Sequence, residues 1–434
     1  MRATTIRFLD YWLGIPACAF LSMLRAIRRG VAGGTSPLEA RPRRILFLKF
    51  IEQGATVLAQ DAIRRATQAV GRDHLFFCVF ESNRAILDVL DTVPAANVIA
   101  IRDQRLAWFA IDFLRAIWTV RSKHVDTVID MEFFSRASAI FTFLTGAPIR
   151  VGLHRFTGEL PYRGDLMTHR VQYLPHLHIS LQYSILVEAA FHDPRQVPML
   201  KVSPFAKATG DRPLSDTAPT PQFAPDPIEL RRMRERLGLS PEALAKGDDA
   251  HPIVVLNPNA SDLLPLRKWQ TDKFKVLAER ILASYPASAI ILTGAASERD
   301  AADALCREIG STRVRSMAGQ TTLPELLTLY TLADVLVTND SGPGHFSSLT
   351  PVHAIVLFGP ETPRLFGPLT PASTVIWKEL ACSPCVSVFN HRLSPCTNNV
   401  CMQSITVDEV FEAVRSAVAR SDPSLKSPSA RTAT

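Results

Sequence analysis

The stretch with the most chemical content runs Val335-Leu-Val-Thr-Asn-Asp-Ser-Gly-Pro-Gly-His345 and continues to Phe358-Gly-Pro-Glu-Thr-Pro363. Asp334 to Val337 has the apolar run of a short buried strand. Ser341, Gly342, Pro343 and Gly344 then form a turn, a helix is expected from Phe346 to Leu349, and His353 to Phe358 is the next strand. A strand, a tight Gly/Ser turn and a helix start bring free backbone N–H groups and the positive end of a helix dipole together, which suits a phosphate. Asp340 would repel that phosphate, so its carboxylate is expected against sugar hydroxyls or beside a cation. His345 either donates to the phosphate or is a packed histidine. The plain structural alternative is an ordinary strand-to-helix turn capped by Asp340.

Asp-Ser-Gly-Pro-x-His, followed by an apolar strand that ends Phe-Gly-Pro-x-x-Pro, resembles glycosyltransferase family 9, which contains the bacterial heptosyltransferases. Two more segments resemble it: Met317-Ala-Gly-Gln-Thr-Thr-Leu-Pro-Glu-Leu-Leu327 and Ile45-Leu-Phe-Leu-Lys-Phe-Ile-Glu-Gln-Gly-Ala55. Arg43 to Val414 is the span covered. The resemblance implies a GT-B fold, two doubly wound Rossmann-like α/β domains facing a central cleft. It also implies an inverting transferase that takes a nucleotide sugar, ADP-heptose above all, to a lipopolysaccharide-core or lipid-linked saccharide. The alternatives are a related transferase with another nucleotide sugar, and a membrane-associated GT-B binding protein without catalysis. A nicotinamide dehydrogenase fits poorly, because no Gly-x-Gly-x-x-Gly follows the first strand.

Sugar transfer needs a stabilised leaving diphosphate, a held donor and a base for the acceptor hydroxyl. No Asp-x-Asp occurs in the chain, so no such pair is present to hold a divalent cation on the diphosphate. No catalytic cofactor is implied. By resemblance, the polar turn at Asn259 leads to a basic residue on the donor phosphates, either Arg267 or Lys268 beside Trp269. The alternative is a solvated basic pair. Glu298, after Gly294, stands where the family places a carboxylate on the nucleotide ribose; a first-turn helix glutamate is the other reading. Many family members carry Gly-Asp in the first loop, and that Asp is taken as the base. Here the dipeptide is Gly54-Ala55. Glu52, in the same loop, is the expected substitute, with His169, His176 and His178 as the competing bases.

The elements that position these residues alternate between strand and helix. Apolar runs at Ile45–Phe50, Leu75–Phe80, Asn97–Ile101, Val125–Ile129 and Arg150–Leu153 predict a parallel sheet, with helices such as Ala55–Val70 and Leu106–Val120 between them. Ile253–Asn257, Ala289–Thr293 and the two strands around Asp340 predict a second. Ligands of such sheets sit at the carboxyl ends of the strands. The expected division is residues 1–42 as a membrane-associating segment and linker, 43–200 as an acceptor-side domain, 201–250 between domains, 251–420 as the donor domain, and 421–434 as a disordered tail.

The net charge of +7 is concentrated at one end: residues 1–44 hold eight arginines against Asp10 and Glu39. The body is near neutral and lacks a nucleic-acid footprint. Tyr11 to Leu24 carries no charge and is flanked by arginines, but its 14 residues fall short of the ~20 of a bilayer span. An in-plane or re-entrant anchor formed by residues 1–40 at the cytoplasmic face of the bacterial inner membrane is preferred. A span extended through Ile6 and a helix packed on the body are the other readings. Cys382-x2-Cys385-x10-Cys396-x4-Cys401 has the spacing of a structural four-thiolate zinc site, with His391 as a possible substitute ligand; plain thiols are the alternative.

Overall fold

The computed structural model describes residues 8, 10–31, 41–154, 163–195, 220, 222–238, 252–260, 264–390 and 392–421. The chain divides into two units, Met1–Pro219 and Thr220–Thr434. Each unit is built on one six-stranded parallel sheet. The first contains β1 (Ile45–Leu48), β2 (Leu75–Phe80), β3 (Val98–Ile101), β4 (Thr127–Asp130), β5 (Ile149–His154) and β6 (His169–Gln172) in the order β3-β2-β1-β4-β5-β6. The second contains β7 (Ile253–Asn257), β8 (Ala289–Leu292), β9 (Val314–Ser316), β10 (Val335–Asn339), β11 (His353–Phe358) and β12 (Ser373–Trp377) in the order β12-β11-β10-β7-β8-β9. Read from the other edge, the second order repeats the first. Both have the doubly wound order 3-2-1-4-5-6, whose switch point lies between the first and fourth strands. Here those are β1 beside β4 and β7 beside β10.

The central strands are apolar along their whole length because helices cover both faces. In β11, Ile355 and Leu357 join a core with Trp269, Phe274, Leu277 and Ile281, while Ala354, Val356 and Phe358 pack on the opposite face against Phe366 and Trp377. β6, β9 and β12 were not expected. All three are edge strands with partly exposed residues; β6 and β9 have no continuous apolar run, and that of β12 is only Val375–Trp377. β1 stops at Leu48, two residues before the expected Phe50, and the helix after β10 is Gly342–Phe346, starting inside the turn rather than after it. In the expected interdomain segment, the helix Pro227–Arg236 is present, and Asp226 caps it by accepting from the Ile228 N–H at 2.8 Å. The expected tail after Ser421 and the rest of the segment between domains lie largely outside the described residues.

The amino-terminal segment forms the helix Gly14–Val31, and its contacts are those of a helix packed on the first unit. Cys18 is buried with Ala139, Leu166 and Met167. Arg25 donates to the Met167 carbonyl at 2.8 Å and pairs with Asp165 at 2.9 Å. Just before the helix, Asp10 accepts from the N–H groups of Arg136 and Ala137 at 3.0 and 3.1 Å and pairs with the buried Arg136 guanidinium at 2.8 Å. It thus caps the helix Arg136–Leu144 from a distant part of the chain. Among the described residues no helix is long and apolar enough to cross a membrane.

Candidate active-site residues

The switch point of the second sheet gathers most of the residues expected there. β7 and β10 end side by side, and their polar ends interlock. Asn339 donates to the Asn259 carbonyl at 2.9 Å and accepts from the Trp269 N–H at 3.0 Å. It therefore fixes both ends of the segment that carries Arg267. Asn257 and Asn259 both donate to the Thr293 carbonyl, at 3.3 and 3.1 Å. Across the chain at Gly294, a Cβ would meet the Asn259 amide at 2.6 Å and the Glu298 carboxylate at 2.9 Å. Any larger residue there would push those two polar groups aside. Glu298 accepts from the Ala295 N–H at 2.6 Å, which closes the turn after β8.

Asp340 is buried, and the cation beside it is Arg267, whose Nε lies 3.1 Å from its carboxylate. Arg267 also donates to the Asp340 carbonyl at 3.2 Å and pairs with Glu361. The reading of Arg267 as a solvated residue is thereby overturned; Lys268 is exposed. Glu361, buried in the Gly-Pro-Glu-Thr turn after β11, faces a second guanidinium, Arg392, at 3.7 Å. Two carboxylates and two guanidiniums so form one nearly neutral cluster, and the contacts of Arg267 leave guanidinium N–H groups for a further acceptor. Ser341 donates to the Asn339 carbonyl at 3.1 Å and so braces the turn. The helix Gly342–Phe346 contains Pro343 and His345 and is barely more than one turn, which makes its dipole weaker than a longer helix would supply. A Cβ on Gly344 would lie 3.3 Å from Val356, so the turn sits tightly on β11.

At the switch point of the first sheet, Lys49 is fully buried at the end of β1. Its Nζ lies 3.1 Å from Glu52 and 3.2 Å from Glu132. Glu132 follows β4 and accepts from the N–H groups of Phe50 and Ile51 at 2.6 and 3.3 Å, so it shapes the loop that carries Glu52. Burial pushes the Glu132 carboxyl up, against the pull of Lys49. Glu52 adopts φ 72° and ψ 80°, a left-handed conformation that costs a non-glycine residue energy and collects at functional sites. Asp130, wholly buried at the end of β4, pairs with Arg163 and accepts from Ser138 at 2.8 Å.

The model of Glycosyltransferase family 9 (heptosyltransferase) matches residues 113–392, more than half of the chain. The chain belongs to glycosyltransferase family 9. Lipooligosaccharide heptosyltransferase 2 of Campylobacter jejuni is 26% identical over 170 residues, 38% of this chain and 50% of that protein. The match thus spans about half the length of the curated relative. Among solved structures, the Escherichia coli ADP-heptose lipopolysaccharide heptosyltransferase II superposes with a TM-score of 0.62 at 18% identity, covering 87% of this chain and 99% of that one. A family 9 glycosyltransferase from Veillonella parvula gives 0.65 at 15% identity, covering 88% and 99%. At those identities the structures show the shared fold, the α/β architecture expected from the sequence.

The family 9 match includes Asn259, Arg267, Glu298 and the Asp340–His345 turn, but starts well after Glu52. Asn339, Glu361, Lys49 and Glu132 were missed in sequence. The available signal was their position: each lies at or just past the carboxyl end of a central strand. Two of the competing histidines are committed to structure. His169 is buried and bonded to Thr168 and the His192 carbonyl at 2.9 and 3.1 Å. His178 caps the helix Ile179–Ala190, accepting from the Ser180 N–H. His176 is exposed.

The expected zinc site is not supported: among the described residues no group of three or more His, Cys, Asp or Glu is arranged to hold a metal ion. The thiols instead join the hydrogen bonding of their own loop. Ser394 donates to Cys385 and the Asn399 N–H to Cys396, both at 3.3 Å. Burial pushes the Cys401 thiol up, with the other three thiols adding to it. His391 lies outside the described residues.

Proposed function

We propose that this family 9 chain transfers heptose from ADP-heptose, with inversion and without a metal, to a lipopolysaccharide-core or lipid-linked saccharide at the cytoplasmic face of the inner membrane. The observation that carries the reading is Arg267 held between Asp340 and Glu361 at the second switch point, where ligands of doubly wound sheets bind. Its remaining N–H groups and the backbone N–H groups of the Ser341–Gly344 turn are donors for the leaving diphosphate. Charge developing on that group would be met by a guanidinium whose position is already fixed. Arg267 takes this role rather than Lys268, because buried partners orient it and Lys268 is exposed. Asp340 orients Arg267 and the donor sugar, Asn259 and Glu298 meet the nucleoside, and His345 donates to a phosphate oxygen. The names of the similar proteins support the choice of heptose and of ADP.

Glu52 is the base in this reading. It is the carboxylate of the β1 loop, it is partly exposed, and its strained backbone is held by the Glu132 contacts to Phe50 and Ile51. The Lys49 ammonium, 3.1 Å away, holds its carboxylate in place in the loop where it would take the acceptor's proton. The amino-terminal helix contacts the membrane that carries the acceptor.

The test is donor binding by calorimetry together with turnover on a soluble core acceptor. Asp340→Ala should abolish transfer while the protein stays folded, and EDTA should leave donor affinity unchanged. Full activity of the variant, or donor binding lost on chelation, would contradict the assignment.

A further inference from the structure

Two helices of the first unit present apolar stripes to solvent with the same spacing. On Gly14–Val31 the stripe is Phe20, Met23 and Ile27; on Leu106–Ser122 it is Ile111, Leu114 and Trp118, an i, i+3, i+7 pattern in both. Leu114 is 65% exposed and Trp118 71%. Both helices flank the helix Arg136–Leu144. Cys18 packs on its Ala139, while Phe113 meets its Phe141 edge-on at 5.2 Å between ring centres. The inner face of Leu106–Ser122 is consumed by the sheet, so the apolar stripe is a second, outward one. Of the chain's five tryptophans, Trp12, Trp108 and Trp118 are exposed on or beside these two helices.

The exposed charges carried by the two helices themselves have one sign. Gly14–Val31 holds no acid; its Arg25 is buried against Asp165 of the neighbouring loop, and its Arg28 is exposed. The single acid of Leu106–Ser122, Asp112, is buried and bonded to Arg102 at 2.6 Å, while Arg115 and Arg121 on the helix and Arg105 and Lys123 at its ends are exposed. Exposed aliphatic and tryptophan side chains ringed by arginines suit the boundary of an anionic bilayer: the rings and aliphatic groups enter the headgroup layer and the cations meet lipid phosphates.

We infer that Leu106–Ser122 is a second membrane-contact element, and that it and Gly14–Val31 together dock the first unit flat on an anionic lipid surface. The inference rests on the proposed membrane-borne acceptor, and it assigns to that membrane a surface well away in sequence from the amino-terminal anchor. The test uses the full-length chain and vesicles of phosphatidylcholine with and without phosphatidylglycerol. The wild type should co-sediment with the anionic vesicles and be released as salt rises. The triple variant Ile111→Ser/Leu114→Ser/Trp118→Ser should bind them about tenfold or more weakly, with ADP binding unchanged. The conservative pair Trp108→Phe/Trp118→Phe guards against misfolding. It should remove much of the tryptophan quenching caused by lipids with brominated acyl chains. Wild-type affinity in the triple variant, or unchanged quenching in the pair, would overturn the inference and leave only the amino-terminal helix as anchor. Equal binding to uncharged vesicles, or a stripe found to mediate self-association with no effect on vesicle binding, would also overturn it. Turnover on a soluble acceptor, measured in parallel, separates this inference from the transferase reading: lost transfer with intact vesicle binding counts only against the latter.

Discussion

Replacing Glu52 by glutamine tests the proposed base with little structural disturbance. The glutamine keeps the size of the side chain and a carbonyl oxygen for Lys49. Lys49 itself stays neutralised by Glu132 at 3.2 Å, so no buried charge is left alone. What disappears is the ability to take a proton. A positioned base contributes about 10²–10⁴ in rate, which corresponds to about 3–5 kcal/mol of barrier. ADP release with a soluble acceptor should therefore fall by at least about 10²-fold, with donor affinity by calorimetry and thermal stability close to the parent. The backbone supplies a second reading of the same residue. At φ 72° a glutamate carries a left-handed penalty of roughly 1–2 kcal/mol that glycine avoids. Glu52→Gly should thus melt no lower than the parent while being inactive. Stability given up for a function at this position would produce that pairing. A glutamine variant within a few-fold of wild-type turnover would refute the base assignment. A glycine variant that melts well below the parent would refute the strain argument.

Arg267→Lys should weaken donor binding by more than a simple charge count implies, since a lysine cannot span Asp340 and Glu361 at once; a donor affinity equal to wild type would count against the fork geometry. Asp10→Ala removes a carboxylate from the buried Arg136 and the acceptor of the first two N–H groups of the Arg136–Leu144 helix, and should destabilise the first unit by about 3 kcal/mol in denaturant titration, the lower end for a broken buried pair because Asp10 is partly exposed. A loss under about 0.5 kcal/mol, the range of ordinary surface substitutions, would contradict this. Deleting residues 1–40 removes the same carboxylate, so that deletion probes folding as well as anchoring. His154 is held at about 4 by burial and by the nearby Arg170 and Arg163. Its folded value lies below the unfolded one near 6.5, so the unfolded chain binds the extra proton in that window and stability must fall as pH drops from about 6.5 toward 4. His154→Gln should flatten this part of the stability–pH curve, and an unchanged slope would exclude His154 as its source.

How far the sequence could be read follows from where each signal lives. The central strands announced themselves because β1, β2, β7, β10 and β11 are buried on both faces and carry unbroken apolar runs. Edge strands β6 and β9 have no such run, and the three apolar residues of β12 are only partly buried, since half or more of each strand is open to solvent. The Asp340 turn was legible because glycine, proline and a carboxylate cluster within a few residues. Arg267 could not be separated from Lys268 by spacing; only the chain path, fixed by Asn339 on the Trp269 N–H, decides which of the two points inward. For Glu361 and Glu132 the sequence offered a position after a central strand but not the partner. Each acts on a residue more than eighty positions away, and that pairing depends on which strands lie side by side. The charge-free run at Tyr11–Leu24 gave its helix and its apolar outer face. Nothing in it gave the partners of Asp10, at the start of the Arg136–Leu144 helix, or those of Arg25, in the loop before β6.

The most direct test of the central claim is a mass measurement of the acceptor. The purified full-length protein is incubated with ADP-heptose and a lipopolysaccharide core acceptor that lacks heptose, and both acceptor and nucleotide are analysed. The account predicts an acceptor heavier by one heptose residue, with ADP released in equal amount and no product from the Asp340→Ala variant. Tight binding of ADP-heptose with no change in acceptor mass, or transfer only from a different nucleotide sugar, would contradict it.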